Sequence, residues 1–162
     1  MLRTIVGQQV SVAAARSMWA KLEAAYGSPP DLGALLEASD DGLRLAGISR
    51  QKAGYARSLA ELILSGELDL GALPADDEEA IAHLIRIKGI GRWSAEIYLL
   101  FAEGRADVWP AGDLAVQVEI GRLLGLKEKP TEKDLREIAE AWRPYRGAAA
   151  VLAWHSYNSA VL

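Results

Sequence analysis

The chain has 162 residues, 51% of them hydrophobic, enough to bury the core of one domain or of two small lobes. It contains no cysteine, which excludes disulfides, thiolate-bound zinc or iron–sulfur clusters and a cysteine nucleophile. The net charge of −4 argues mildly against nucleic acid as a partner, although a local basic face or a helix N-terminus can bind phosphate on an acidic body.

Apolar residues recur at helical spacing along almost the whole chain and no segment alternates clearly as a strand does, so the sequence predicts an all-α protein. Gly27 with the following SPPD ends the first predicted helix, and Gly66 ends the helix that begins near residue 49. In chain order, the predicted helices cover about 2–26, 31–38, 40–46, 49–65, 77–87, 91–103, 113–124, 131–141 and 145–160.

The segment KGIG, residues 88–91, joins two of these helices in a short helical hairpin. Gly89 and Gly91 permit positive φ and the close approach of another backbone, and Ile90 is expected to pack beneath the turn. The free N–H groups of the second helix form an anion site, which Lys88 and Arg92 flank with positive charge. An isolated G-x-G is also explained by a glycine-terminated helix followed by another helix, with no bound anion. The choice between these two interpretations therefore depends on the wider sequence.

Four stretches carry a family resemblance together. They are IVGQQVSVAAAR, LAGISRQKAGYARSLA, LIRIKGIGRWSAEIYLLF with the following DVWPAGDLAVQV, and AWRPYRGAAAVLAW. In this order they resemble the helix-hairpin-helix DNA glycosylases, most of all the 3-methyladenine DNA glycosylase II (alkylbase glycosylase) branch, over essentially the whole chain. The resemblance implies two helical lobes flanking a cleft, one from the middle helices and one from the chain ends. It also implies hydrolysis of the N-glycosidic bond of alkylated purines.

Asp113 begins a predicted apolar helix, where an aspartate is a good N-cap. In the family the catalytic aspartate follows the hairpin by roughly this distance, so the resemblance implies that Asp113 is the catalytic carboxylate. A carboxylate beside the sugar stabilises the positive charge that develops as the bond breaks. Among the other acids, we expect a loop hydrogen bond for Asp107, solvent exposure for Glu96 and Glu103, and a structural role for Glu119.

Trp93 and Trp154 match positions where the alkylbase branch places aromatic walls of the base pocket. Such walls suit an extruded, cationic alkylated purine, which gains stacking and a cation–π contribution. The other three tryptophans, Trp19, Trp109 and Trp142, are expected in the core. Trp93 also stands where bifunctional members carry a lysine nucleophile. We therefore expect a monofunctional enzyme that leaves an abasic site.

Gln8 and Gln9 fall on the first predicted helix, where an exposed polar face would explain them as well. In the family this segment faces the minor groove. The resemblance implies that Gln9 is the wedge that fills the gap left by the flipped base and that Gln8 contacts the backbone or the orphan base.

The resemblance has further implications for organisation and partners. Residues 1–162 are expected to form a single glycosylase domain, without the preceding helix that family members usually carry or the β-rich domain that some of them carry. The expected partner is double-stranded DNA with alkylated bases, bound by a monomer, and no cofactor is required. Backbone carbonyls of Ile87 and Gly89 could hold Na⁺ or K⁺, as in some relatives. The candidate basic face comprises Arg50, Lys52, Arg57, Lys88, Arg92, Arg143 and Arg146.

The sequence offers neither a leader segment nor an apolar run of membrane-spanning length, so we expect a soluble cytoplasmic protein with no membrane contact. Three alternatives stay open. One is a non-catalytic helix-hairpin-helix DNA-binding module, one a glycosylase for deaminated or oxidised bases, and one an all-α protein-interaction domain. Salt-dependent DNA affinity and release of a free base would distinguish them.

Overall fold

The computed structural model describes residues 1–160 and is helical throughout, with no strand in that range, so the all-α prediction is confirmed. The helices are α1 (Leu2–Gly7), α2 (Val12–Tyr26), α3 (Leu32–Glu37), α4 (Asp40–Leu45), α5 (Arg50–Leu64), α6 (Asp77–Leu84), α7 (Arg92–Phe101), α8 (Leu114–Leu123), α9 (Glu132–Ala139), a 3-10 turn (Glu140–Trp142) and α10 (Arg146–Ala160). Among the described residues, none of these helices has the length and apolarity to cross a membrane.

The chain divides into two compact units, Met1–Gly91 and Arg92–Leu162. The predicted grouping of the two chain ends in one lobe is wrong, because α1 packs against α2 and α5 within the first unit. The contact between α1 and α5 joins segments that are far apart along the chain, and helical periodicity does not show which distant segments meet.

The first unit is built around α5, against which α1, α3 and α4 pack. Its helices after α1 begin at side-chain caps, each of which accepts a hydrogen bond from the backbone N–H three residues on. The caps are Ser11, Asp31, Ser39, Ser49 and Asp76. Its buried large side chains are Ile5, Leu22, Leu35, Leu43, Leu59, Leu68, Leu84 and Ile87.

The predicted helix over 2–26 is wrong at one point, because the chain leaves the helix at residues 8–11. Ser11 starts a new helix, with its Oγ accepting a hydrogen bond from the Ala14 N–H at 3.2 Å. Gln9 has φ +54°, the one positive φ outside glycine among the described residues. The serine cap is stronger than the weak helical preference of this polar stretch, so Gln8 and Gln9 lie in a turn rather than on a helix.

The second unit has a core between α8, α9 and α10, where small residues of α10 allow close packing. Trp109 lies in this core, donates its Nε1–H to the Leu135 carbonyl at 3.1 Å and meets Trp142 edge to face. Thr131, a residue type that favours helix starts, caps α9 and forms a reciprocal capping box with Asp134. The core prediction thus holds for Trp109 and for the half-buried Trp142.

Trp19 lies in the first unit, where it is half-buried. It packs beneath the Arg3 guanidinium, which lies 4.6 Å from the centre of its ring.

Candidate functional site

Asp113 is the N-cap of α8, as the sequence predicts. Its backbone is extended, with φ −73° and ψ 124°, and its Oδ1 accepts a hydrogen bond from the Val116 N–H at 3.0 Å. An aspartate here satisfies an unpaired N–H of the first helical turn and places its charge at the positive end of the helix dipole. The side chain remains partly exposed, so its carboxylate can be reached from outside the core.

Trp93 and Trp154, the two tryptophans predicted to line the pocket, both contact this carboxylate. Trp93 Nε1–H donates to Asp113 Oδ2 at 2.8 Å, and Trp154 Nε1–H donates to Asp113 Oδ1 at 3.1 Å. Trp93 comes from the first turn of α7 and Trp154 from α10, so three helices of the second unit converge here. The structure therefore brings together the three residues of the predicted catalytic and pocket set.

Phe101 is a member of this aromatic group that the sequence analysis did not single out. Its ring centre lies 5.7 Å from that of Trp154, with the rings tilted by 32°, and the residue is 62% exposed. The signal was available, since Phe101 follows Trp93 by eight residues and so lies on the same face of α7.

The prediction that Glu96 faces solvent is wrong, because the residue is only 2% exposed. Burial raises its pKa, against the opposing effect of the Arg136 and Arg92 guanidinium groups, which bind Oε1 at 3.1 and 2.9 Å. The sequence could not reveal this, because the arginine that pairs with Glu96 from α9 is 40 residues away along the chain.

The other acids follow their predicted roles. Asp107 accepts hydrogen bonds from Arg143 and Arg146 in its loop, and Glu103 is exposed. Glu119 is buried and structural, with Arg122 bound at 2.6 Å. Hydrogen bonds, first from Arg122 and then from Ser156, lower the pKa of Glu119 to about 2.

The hairpin connects α6 and α7 through residues 85–91, and its two glycines serve different needs. Gly89 has φ +80°, and a Cβ there would lie 2.2 Å from the Tyr55 ring, so packing and backbone both require glycine. A Cβ on Gly91 would meet nothing within 4 Å, so the fold does not explain this glycine. Ile90 is buried beneath the turn, as predicted, and Lys88 is exposed while its N–H donates to Ser58 Oγ.

Gln8 reaches from the α1–α2 turn to this hairpin, where its Nε2 donates to the Gly89 carbonyl at 2.9 Å. The Ile87 carbonyl accepts from the Ile90 N–H at 3.0 Å. Each predicted cation ligand therefore already accepts one hydrogen bond and keeps a second lone pair. The Na⁺ or K⁺ site stays a prediction. Among residues 1–160, no group of three or more histidine, aspartate or glutamate side chains is placed to hold a metal ion.

Most cations of the predicted basic face are engaged within the protein. Arg50 and Arg57 lie near Asp40, Lys52 donates to the Val6 carbonyl, and Arg92 pairs with Glu96. Arg143 and Arg146 pair with Asp107 and Glu140. Lys88 is the exception, since its ammonium contacts no partner in the part of the chain that the structure describes.

The chemistry that this arrangement can supply is electrostatic. The partly exposed carboxylate, held by three N–H donors, can stabilise a positive charge that develops beside it. The aromatic rings that border it can stack on a flat, electron-poor ring.

Comparison with known proteins gives consistent matches. The model of the HhH-GPD superfamily of base excision DNA repair proteins matches residues 2–144. Among curated relatives, the chain is 31% identical to DNA-3-methyladenine glycosylase 1 of Schizosaccharomyces pombe, covering 95% of this chain and 69% of that protein. It is 29% identical to the putative DNA-3-methyladenine glycosylase YfjP of Bacillus subtilis, covering 96% of this chain but only 57% of that protein.

Solved structures agree with these matches. DNA-3-methyladenine glycosidase from Bacillus halodurans superimposes with a TM-score of 0.88 at 35% identity, covering 96% of this chain and 73% of that one. The S. pombe 3-methyladenine DNA glycosylase Mag1, in complex with abasic DNA, gives a TM-score of 0.78 at 30% identity, covering 99% of this chain and 79% of that one.

Proposed function

Because the chain belongs to the HhH-GPD superfamily of base excision DNA repair proteins, we propose that it is a monofunctional DNA glycosylase that removes alkylated purines of the 3-methyladenine type from duplex DNA. The observation that carries the proposal is the Asp113 carboxylate, which two indole N–H groups and a helix N-terminus hold at an aromatic surface. A DNA-binding module without catalysis would need neither the carboxylate nor this surface.

The proposed reaction uses the carboxylate at the sugar. As the bond between C1′ and the base nitrogen lengthens, the sugar becomes positively charged and the fixed negative charge of Asp113 stabilises it. Water then adds to C1′, and its proton passes to the carboxylate or to solvent. The departing base takes the bonding electrons, which neutralises the positive charge that alkylation placed on it.

The aromatic residues account for the choice of base. An extruded purine stacks on an indole face with a gain of about 1–3 kcal/mol, and a cationic alkylated purine adds a cation–π contribution. The side chain at position 93 is an indole without an amine, so Schiff-base formation has no nucleophile there. This supports hydrolysis to an abasic site without strand cleavage.

The hairpin accounts for DNA binding. Gly91 is exposed and has no side chain to obstruct a phosphate at the turn, and the exposed Lys88, whose ammonium meets no partner among the described residues, adds positive charge to the same hairpin segment. Gln9 is exposed at the tip of its turn, consistent with a role as the wedge. The proposal extends to a monomeric cytoplasmic protein in which the Ile87 and Gly89 carbonyls can take a monovalent cation.

The first test measures free base released from DNA methylated at purine nitrogens, with the parent protein and Asp113→Asn side by side. We expect the parent to release 3-methyladenine, and the variant to be at least ~100-fold slower because the charge that stabilises the sugar is gone. Glu128→Gln, which removes an exposed acid of the same unit, is the matched control and should retain the parent rate.

Equal release by Asp113→Asn would refute the role of the carboxylate. No release by the parent, with salt-dependent DNA binding retained, would favour the binding module instead. Release of hypoxanthine or an oxidised base in place of 3-methyladenine would assign a different substrate class to the same site.

A further inference from the structure

We propose that Trp93 and Trp154 act on the reaction through their indole N–H groups, as positioning residues for Asp113, and not only as walls for the base. This inference rests on the proposed glycosylase function. It assigns to each tryptophan a polar role that a phenylalanine or a tyrosine at the same position could not fill.

The carboxylate is held at both oxygens. Oδ1 accepts from the Val116 N–H and from Trp154 Nε1–H, and Oδ2 accepts from Trp93 Nε1–H. An ionised carboxylate has about four acceptor sites, so three are occupied and one, on Oδ2, remains for the sugar or the attacking water. Donors on both oxygens also prevent rotation of the carboxylate about its last side-chain bond, so the free acceptor site has a fixed direction.

The donors themselves are held by packed elements. Trp154 is half-buried against the core of the second unit and contacts the Phe101 ring, and its helix α10 packs on α8, which Asp113 caps. Trp93 sits in the first turn of α7. A group fixed in this way needs little reorganisation when charge develops in the transition state, which is the condition under which electrostatic catalysis is most effective.

The indole ring separates the two functions geometrically. Its N–H lies in the ring plane, so the edge can bind the carboxylate while the faces stay available for stacking. Trp93 illustrates this, because 47% of the residue is exposed although its polar edge is occupied by Asp113. Phenylalanine keeps a face but has no donor, and a tyrosine hydroxyl lies at the far end of the ring.

The test separates face from donor by replacing Trp93 or Trp154, one at a time, with 3-(benzothiophen-3-yl)alanine. This residue keeps the bicyclic ring but has sulfur where the indole has N–H. Under single-turnover conditions on methylated DNA, we expect the rate constant at saturating enzyme to fall about 10- to 100-fold, the effect of one lost hydrogen bond to a charged group. The enzyme concentration at half-saturation should stay within about threefold, since the stacking face remains.

Phenylalanine at the same two positions should lower the rate constant and also raise the enzyme concentration at half-saturation, because it removes the donor and part of the stacking face. Trp142 is the matched control, since it is a half-buried tryptophan of the same unit that packs on Trp109 and has no contact with Asp113. The sulfur analogue at Trp142 should leave the rate constant unchanged. Thermal unfolding of each variant verifies folding, and if one position does not tolerate the analogue the comparison is made at the other.

Parent-like rate constants for the sulfur analogues would overturn the inference while leaving the glycosylase function intact, because the tryptophans would then act only as walls. Failure of the parent to release any base would overturn the proposed function and this inference together. The two failures are distinguished by the parent reaction alone.

Discussion

At the scale of single residues, two buried glutamates of the second unit have pKa values shifted in opposite directions by their surroundings. Glu119 is bound by Arg122 and Ser156, which lower its pKa to about 2, whereas Glu96 has its pKa raised by burial despite the Arg136 and Arg92 guanidinium groups. A lowered folded-state pKa means that the unfolded chain binds more protons, and a raised one means that the folded chain does.

These two carboxyls should give pH dependences of opposite sign. Glu119 contributes to a rise in stability as pH increases from about 2 to 4.5, because it ionises more readily when folded, and Glu119→Gln should make that rise less steep. Above pH 4.5 the raised pKa of Glu96 makes its contribution fall as pH increases, so Glu96→Gln should remove that decline. Urea unfolding across this pH range measures both slopes. Glu128→Gln, at an exposed site, is the control, and slopes that match the parent in both variants would contradict the assignment.

At the scale of an element, the hairpin contains one glycine that the fold needs and one that it does not. Gly89 has positive φ and lies against Tyr55, and its carbonyl receives the Gln8 amide, so this half of the turn is fixed from inside the first unit. Gly91 has open space where a side chain would stand. The fold therefore does not require glycine there, whereas a phosphate approaching the turn would meet a side chain at this position.

The two glycines should therefore respond differently to substitution by alanine. Gly89→Ala should lower the free energy of unfolding by about 2–4 kcal/mol, through backbone strain and overlap with Tyr55. Gly91→Ala should change it by less than about 1 kcal/mol. Its DNA affinity should nevertheless fall roughly tenfold, the loss of one phosphate hydrogen bond.

Chemical denaturation and fluorescence anisotropy on a duplex with an abasic analogue make this comparison, each variant serving as control for the other. Unchanged DNA affinity for Gly91→Ala would show that the phosphate is bound elsewhere.

At the scale of the whole molecule, the chain has a net charge of −4 although it contains 18 lysines and arginines. Most cations of the predicted basic face bind groups within the protein. Its arginines pair with carboxylates, and Lys52 donates to a backbone carbonyl while burial lowers its pKa. Cations already paired in the protein release few counterions when DNA binds. The DNA affinity should thus rest more on helix N–H groups than on free positive charge.

Salt dependence tests this distribution. The slope of log K against log salt concentration should be shallow, about −3 or less in magnitude. Lys88→Gln should reduce its magnitude by about 1, as expected for one phosphate contact. Arg143→Gln, which removes a cation paired with Asp107 and Glu140, should leave the slope unchanged and lower stability instead. A steep parent slope, or equal effects of both substitutions, would show that the paired arginines also bind phosphate.

The sequence by itself predicted most of the helices, and its family resemblance named the residues of the candidate site. Helical periodicity and the caps Asp76, Asp113 and Thr131 mark helix starts because capping is local, within three residues of backbone. Asp113, Trp93 and Trp154 were named from motifs in the right order, and the structure brings these three side chains together. The break at Gln8–Ser11 was missed although Ser11 signals it, because apolar residues continue on both sides of it.

Only the tertiary structure decided which charges are paired and what each aromatic edge contacts. The partner of Glu96 on α9, the indole donors on Asp113 and the Tyr55 ring against Gly89 are each separated from these residues by 20 or more positions in sequence. The grouping of α1 with α2 and α5 depends in the same way on packing. Periodicity and caps are local properties that one sequence displays, whereas burial and pairing depend on which distant segments meet, and that is decided by the folded chain.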